Sequence, residues 1–302
     1  MTRIARRLAA WWFAPAPAER LAMLRIVIGG AALVWLLARL PEIYAVAQLP
    51  ADHFAPAGVV RVLGAPLPPA LAFGFACATA GLLVAFVVGF RFRYLAPLAA
   101  AGVLWSLSYR NSWGMKFHTE NLMVLHVIAL AVTPAADAWA IDRKPAAPPA
   151  AGYGWAIKLL IALLAATYLL AGIAKLRIAG MAWLDGEQLR NQIAIDNLRK
   201  ALLGSSIAPL AIPFLDHPSW FIGFSVMTIV LELGAPIALV SPRAGRWWGL
   251  AAWGFHVGVV LLMNIWFPYP LSGVAYLPLL RVERAGHWLI ARWRRRAGMH
   301  GS

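Results

Sequence analysis

Long apolar stretches recur along almost the whole sequence and constrain its fold more than any other feature. A helix needs roughly 20 apolar residues to cross a hydrocarbon core about 30 Å thick. Composition agrees with membrane helices, because 62% of the residues are hydrophobic and 13% are charged, where soluble domains carry about 25% charged residues. The chain is therefore predicted to be an all-α, polytopic integral membrane bundle of about eight transmembrane helices. The predicted spans, of which the eighth is the shortest, are 21–40, 69–90, 94–108, 119–136, 154–175, 220–240, 247–264 and 271–280.

The distribution of positive charge predicts how the helices are oriented. The net charge is +15, and the 27 Lys and Arg residues lie scattered in short segments between the apolar stretches. If the N-terminus is cytoplasmic, the inner segments hold the larger share, including Arg143, Lys144 and the C-terminal arginines, as the positive-inside rule requires. Both termini are therefore expected in the cytoplasm, with 1–20 and 282–302 as tails, in a bacterial-type plasma membrane. Nucleic-acid binding is not expected, because the sequence has no basic face with interleaved aromatic residues.

A single membrane domain is predicted to account for residues 1–302. Cys77 is the one cysteine, so neither a disulfide nor a cysteine-based metal cluster can be built, and no metal site is expected. An outer loop is expected over 176–219.

Within that outer loop, the stretch 186–203 has the spacing of an amphipathic helix. The pattern predicts a helix at the outer membrane interface, which either folds back over the mouth of the bundle or is an ordinary loop helix without a lid role. The apolar residues that would share one face are Leu189, Ile193, Leu198 and Leu202.

Ionisable residues inside the apolar stretches each need a physical reason, because a charge at the bilayer centre costs at least about 2.5 kcal/mol. Arg25 and Lys158 lie near the expected inner surface, so we expect their side chains to extend to it. Glu232 lies deeper, and either pairing with a cation or holding a proton would explain it.

The fifth span ends on Lys175, where small residues precede a lysine at the expected outer end of the helix. Ala171, Gly172 and Ala174 leave little bulk there, so another helix could approach closely. His118 and His256 are expected near the same depth, and convergent polar groups in an apolar concavity predict a pocket. A desolvated, neutral lysine could act as a general base. Spacing alone favours the alternative that the lysine is an interfacial anchor.

These residues resemble the horizontally transferred transmembrane (HTTM) family, whose best-known members are the vitamin K-dependent γ-glutamyl carboxylases. The strongest similarity is Tyr168-Leu-Leu-Ala-Gly-Ile-Ala-Lys175-Leu176, followed by Trp183 and Gly186. The further similar motifs are Phe117-His118-Thr-Glu-Asn121-Leu122 with Trp139-Ala-Ile-Asp142, Phe255-His256 with Asn264 and Phe267, and Leu24-Arg25-Ile26.

The resemblance implies a chemistry for the pocket. In the carboxylases the matching lysine deprotonates reduced vitamin K, oxygen converts the quinol to an epoxide, and the strong base formed removes a γ-proton from glutamate before CO₂ adds. Carried over, Lys175 would be the base, and His118 would assist at the quinone step or at the carboxylation step. The substrate or cofactor would be a reduced quinone, such as menaquinone or a vitamin K-like molecule. The resemblance and the spacing together suggest as substrate-binding residues His256, Tyr168, Trp183 and Asn121.

Three functions remain open from the sequence. The first is an enzyme with a quinone-like substrate and the lipid bilayer as its surroundings. The second is a non-enzymatic accessory protein for maturation or export of a peptide or lipid, with a peptide or a membrane protein as partner. Ala174, where the carboxylases have a second lysine, and the lack of their large lumenal region favour the second. A secondary transporter is less favoured, because the sequence shows no inverted repeat.

Overall fold

The computed structural model describes residues 2–114, 116–142 and 148–296, apart from the side chain of Arg294. Regular structure in these ranges is helical, which confirms the predicted all-α class, and an isolated β-bridge joins Ala16 to Ala150. The predicted inner cations Arg143 and Lys144, and residues 297–302 of the predicted tail, lie outside the described residues.

In chain order, the α-helices are α1 (Arg3–Trp12), α2 (Ala18–Val46), α3 (Pro69–Val88), α4 (Phe92–Arg110), α5 (Asn121–Ala131), α6 (Ala151–Ala179), α7 (Glu187–Leu202), α8 (Ala211–Leu215), α9 (Pro218–Leu233), α10 (Ile237–Val240), α11 (Pro242–Met263), α12 (Pro268–Leu271) and α13 (Glu283–Arg296). Short 3₁₀ helices cover Ala51–His53, Gly58–Val62, Gly180–Trp183 and Val274–Leu279.

Three of the described helical segments are both long and apolar enough to cross a membrane: α2, α3 and the run Ala151–Trp183 that begins with α6. The 29 residues of α2 extend about 44 Å at 1.5 Å per residue, which exceeds the hydrocarbon thickness of about 30 Å. Two further apolar helices, α5 and α9, are shorter.

The first seven predicted spans each contain a described helix, but the eighth does not form a continuous one. In its place lie the four residues of α12 and the 3₁₀ helix Val274–Leu279. Pro268, Pro270 and Pro278 explain the interruption, because proline lacks the N–H donor of a helical hydrogen bond. The stretch 271–280 is therefore not one continuous helix, and its crossing of the membrane as an eighth span stays a prediction.

The chain forms two compact units, one of residues 1–160 with 280–302 and the other of residues 161–279. The boundary falls within α6, which contributes residues to both units. That residues 1–302 act as one membrane domain stays a prediction.

In the first unit, α2 packs against α3 and α5, and α4 packs against α3 and α5. The helix α2 buries one apolar stripe at helical spacing, which is the pattern expected of a helix packed on one face. The helix α3 has proline at its first position and ends at Gly89 in the left-handed conformation, with φ of 73°, a common pairing of start and stop residues. The buried stripe of α2 contains Leu21, Leu24, Ile28, Ala32 and Leu36.

In the second unit, α7 packs against α8, α9 and α11. Ile193 of α7 lies in a buried cluster with Ala208, Ala211 and Phe221. The Asn197 Nδ2 atom donates a hydrogen bond to the Leu262 carbonyl at 3.0 Å, which fixes α7 to the end of α11. The predicted helix after Gly186 therefore forms, and its position at an outer interface, with or without a lid role, stays a prediction.

The link between α13 and the start of α2 yields a pH-dependent prediction. Arg20 donates two hydrogen bonds to the Glu283 carboxylate, at 2.8 and 2.7 Å. Burial alone would raise the pKa of Glu283, but the hydrogen bonds from Arg20 hold that pKa below its ordinary value. A lowered carboxyl pKa contributes stability at neutral pH that is lost as the pH falls through the lowered value.

We therefore expect Glu283→Gln to lower the hydrogen-exchange protection of α13 at pH 7. The difference from the unmodified protein should shrink as the pH falls below the ordinary glutamate pKa of about 4.3. Arg284→Gln, at an exposed neighbouring position, is the control and should leave protection unchanged. Equal protection in Glu283→Gln and the unmodified protein at pH 7 would contradict the prediction.

Candidate functional site

Lys175, near the end of α6, forms an ion pair with Glu232 of α9. The lysine Nζ atom donates to Glu232 Oε1. The lysine side chain is 24% exposed and the glutamate side chain 4% exposed, so the carboxylate is much the more deeply buried partner. Of the two readings left open for Glu232, pairing with a cation is confirmed, and the cation is Lys175.

The small residues before Lys175 explain how the two helices come close enough to form this pair. A β-carbon on Gly172 would lie 3.0 Å from the β-carbon of Glu232 and from a methyl group of Leu233. Glycine at this position therefore permits the contact between α6 and α9. The predicted close approach at the small-residue run is confirmed at Gly172.

Trp183 is a second neighbour of the lysine side chain. The Lys175 Nζ atom lies 5.5 Å from the centroid of the Trp183 ring, within the range of a cation–π interaction. Trp183 is buried, and its indole Nε1 has no hydrogen-bond partner in the described structure.

Gly186 follows Trp183 and has a φ of 84°, in the left-handed region that favours glycine. A β-carbon there would lie 2.5 Å from the backbone nitrogen of Ile222 and from the carbonyl carbon of Phe221. In this motif, Trp183 thus contacts the lysine side chain, and Gly186 packs against the backbone of α9.

Tyr168, Tyr276 and His256 form a buried hydrogen-bond network in the second unit. The Tyr168 hydroxyl lies 2.8 Å from His256 Nε2 and 2.6 Å from the Tyr276 hydroxyl. The His256 Nδ1 atom is buried without a hydrogen-bond partner in the described structure. Tyr168 precedes Lys175 by seven residues, about 10 Å along the helix axis. The structure therefore brings Tyr168 and His256 together two turns from the ion pair.

The Phe255-His256 and Asn264-to-Phe267 motifs form one packed corner. The Phe267 ring centroid lies 4.9 Å from that of His256. Asn264 ends α11 with a φ of 47°, and its side chain donates to the Ser206 carbonyl and accepts from the Trp266 indole, both at 3.0 Å. The asparagine turns the chain so that the following phenylalanine packs on the histidine.

An apolar groove of about 440 Å³ lies in the same unit, between α7, α8, α9 and α11. Its lining is apolar apart from Thr228, and neither Lys175 nor His256 lines it. Leu231 and Phe255 do, and each is the chain neighbour of a polar residue of the site. The lining residues are Leu189, Ile193, Leu210, Phe214, Phe224, Met227, Thr228, Leu231, Ala251, Gly254, Phe255, Gly258, Val259, Leu261, Leu262 and Met263.

Thr228 connects the groove to the ion pair. It precedes Glu232 by four residues, so the two side chains lie one turn apart on the same face of α9. On α11, Gly254 and Gly258 have open space where a β-carbon would be added. The two glycines therefore leave space between the side chains that α11 contributes to the groove.

Two predicted site residues, His118 and Asn121, lie in the first unit and are exposed. Their neighbour Glu120 is buried instead, and its carboxylate accepts a hydrogen bond from the Trp35 indole at 3.2 Å. The Arg110 Nη1 atom lies 3.9 Å from Glu120 Oε2. The motif that contains His118 therefore places a buried carboxylate in the first unit, and the catalytic role of His118 stays a prediction.

Arg25 differs from its prediction. Instead of extending to the membrane surface, its side chain is fully buried. Its guanidinium donates to the backbone carbonyls of Ala135 at 3.2 Å and Trp139 at 2.5 Å. Asp142, at the end of the Trp139 motif, accepts a hydrogen bond from the Arg91 backbone N–H. Two of the similar motifs thus meet at the segment after α5, where they satisfy backbone groups.

The sequence reasoning missed Tyr276 and the partner of Glu232. Tyr276 lies in the stretch that was predicted to be the eighth span, where a tyrosine hydroxyl among apolar residues is the available signal, since a buried hydroxyl needs a partner. Within 2–114, 116–142 and 148–296, no group of three or more His, Cys, Asp or Glu residues is placed to hold a metal ion.

Long apolar helices with a buried ion pair and a buried hydroxyl–imidazole network define the class of this chain as an all-α integral membrane protein. A family model described as the HTTM domain matches residues 13–280, most of the 302 residues. The chain belongs to the HTTM family. Comparison with curated proteins and with solved structures gave no match.

Proposed function

We propose that this HTTM-family protein is a membrane enzyme that uses Lys175 as a general base on an apolar, quinol-like substrate. The observation that carries the proposal is the ion pair between Lys175 and the buried carboxylate of Glu232. Transfer of the ammonium proton to the carboxylate gives two neutral groups, which an apolar environment favours over charges. The neutral amine could then accept a proton from a substrate hydroxyl.

The apolar groove supports a substrate of this kind. Its volume of about 440 Å³ and apolar lining suit a ring with a hydrocarbon tail. Thr228 is the polar group in the lining, and it lies one turn from Glu232. A reduced quinone, such as menaquinone or a vitamin K-like molecule, has these properties. His256 and Tyr168 would bind a substrate hydroxyl, and Trp183 would exclude water from the amine. The roles of His118 as a catalytic residue and of Asn121 as a substrate-binding residue stay predictions from the resemblance.

The reaction proposed is oxidation of the quinol by molecular oxygen. The quinol loses a proton to Lys175, and oxygen adds to the ring. One oxygen atom stays in the epoxide and the other leaves as water, so one quinol and one O₂ give one epoxide and one water. Removal of a general base typically costs about 10²–10⁴ in rate.

The test is incubation of purified protein with reduced menaquinone and ¹⁸O₂, followed by mass spectrometry of the lipid extract. We expect labelled epoxide from the unmodified protein and at least about a hundredfold less from Lys175→Ala. Arg177→Ala, an exposed cation on the same helix, is the matched control and should retain the activity. Epoxide formation that is unchanged in Lys175→Ala would exclude this lysine as the base.

A second candidate is a non-enzymatic accessory protein for maturation or export of a peptide or lipid. Two observations favour it. Ala174 occupies the position at which the carboxylases have a second lysine, and the ion pair with Glu232 could have the purely structural role of linking α6 to α9. A peptide or membrane protein would then be the partner. Absence of epoxide with the unmodified protein, for both reduced menaquinone and reduced vitamin K, would favour this candidate.

We propose a bacterial-type plasma membrane as the location, with both termini in the cytoplasm. The charge distribution supports this orientation. Both termini lie on the same side of a membrane when the number of crossings is even. If each of the first seven predicted spans crosses, the segment between α11 and α13, which forms short helices, must provide the eighth crossing.

A further inference from the structure

The N-terminal helix α1 (Arg3–Trp12) is amphipathic and leaves its apolar face uncovered. Ile4 and Leu8 lie one turn apart, and they are 71% and 58% exposed. Arg3, Arg6 and Arg7 project from the opposite side at helical spacing, and all three are exposed. The helix buries none of its residues, so packing against the rest of the protein does not explain its apolar face.

The end of α1 is nevertheless fixed to the body of the first unit. The Lys158 Nζ atom donates to the Trp11 carbonyl and lies 4.4 Å from the centroid of the Trp11 ring. Just after the helix, Ala16 and Ala150 exchange two backbone hydrogen bonds, at 3.2 and 3.1 Å. These contacts hold the connection between α1 and α2, so α1 is an anchored helix within the segment predicted to be a cytoplasmic tail.

The position and the charge of α1 indicate which kind of partner its surface would bind. Five residues separate its last residue, Trp12, from Ala18, where α2 begins, and α2 is long and apolar enough to span a membrane. If α2 crosses the membrane, a helix this close to its start lies at the membrane surface. It contains three arginines and no acidic residue, so an anionic partner complements it. An apolar face beside a basic face is the pattern of a helix in the plane of a lipid interface.

We propose that α1 binds the anionic headgroups of one membrane leaflet. Ile4 and Leu8 insert at the boundary between headgroups and acyl chains, and Arg3, Arg6 and Arg7 contact lipid phosphates. This role is independent of any reaction at Lys175.

The test uses the full chain in nanodiscs that hold one copy each, with Cys77→Ser to remove the native thiol. A single cysteine is introduced at Leu8→Cys, on the apolar face, or at Ala10→Cys. Ala10 is exposed and lies on the arginine side of the same helix, so it is the matched control. The measured quantity is the rate of modification by an uncharged polyethylene-glycol maleimide.

In discs of phosphatidylglycerol we expect position 8 to react at least about tenfold more slowly than position 10, because each arginine near an anionic surface contributes about fivefold in binding. In discs of phosphatidylcholine, and in the triple variant Arg3→Gln/Arg6→Gln/Arg7→Gln, that difference should disappear. Equal rates at the two positions in phosphatidylglycerol would overturn the proposal. The proposal would also be overturned if position 8 were protected as strongly in phosphatidylcholine as in phosphatidylglycerol. The same holds if protection were absent with one copy per disc and appeared in a second preparation with two copies per disc.

Discussion

Lys175→Met is expected to destabilise the protein strongly, by about 3 kcal/mol, at the lower end of the range for breaking a buried ion pair. The substitution leaves the Glu232 carboxylate buried without its cation. The lower end applies because the lysine side chain is 24% exposed, so the pair is partly screened. Unfolding in mixed micelles titrated with sodium dodecyl sulfate measures the loss.

The double variant Lys175→Met/Glu232→Gln is the sharper measurement. Glutamine keeps the size of glutamate and removes the buried charge, so the double variant should recover more than half of the lost stability. The single variant Glu232→Gln should cost less than Lys175→Met, because the remaining lysine is partly exposed. Arg177→Met serves as the control on the same helix. If the effects of the two single substitutions simply add in the double variant, the two residues are not coupled.

Gly186→Ala is expected to have the second large effect, a loss of about 2–5 kcal/mol. Two costs add at this position. Alanine is strained in the left-handed conformation, and its β-carbon would meet backbone atoms of Phe221 and Ile222, which cannot rotate away. Because Gly186 precedes α7, we expect the substitution to displace that helix and to lower the hydrogen-exchange protection of residues 187–202.

Gly204→Ala separates the two costs. Gly204 follows α7 and is also left-handed, with φ of 69°, but nothing lies within 4 Å of an added β-carbon. It should therefore cost about 1–2 kcal/mol, the conformational part alone. Equal destabilisation by the two alanines would show that the contact with α9 contributes nothing.

The sequence was informative wherever a local pattern decided the structure. Long apolar stretches located seven of the helical segments, because a helix satisfies its own backbone in an apolar phase. The predicted span 69–90 agrees closely with α3, which covers Pro69–Val88. The small-residue run before Lys175 predicted a close helix contact, which Gly172 makes with Glu232.

The misses depend on contacts between distant segments. Arg25 was expected to extend to the surface, whereas its acceptors are carbonyls more than a hundred residues away. Helical periodicity cannot reveal such acceptors. Glu232 was recognised as needing a partner, but the choice of Lys175 depends on which helices pack together. The eighth span was predicted from apolar composition, although Pro278 lies within it and Pro268 and Pro270 lie just before it. A proline removes a backbone hydrogen-bond donor, and that should have outweighed composition.

The space that Gly254 and Gly258 leave along the groove would allow related chains to diversify. At Gly254 and Gly258 a methyl or isopropyl group would meet no neighbouring atom within 4 Å at its first carbon. A substitution there would reshape the groove while leaving helix packing intact, at a cost limited to the change in the groove itself. Homologous chains could therefore acquire different preferences for apolar molecules through one codon at either position, without compensating changes elsewhere.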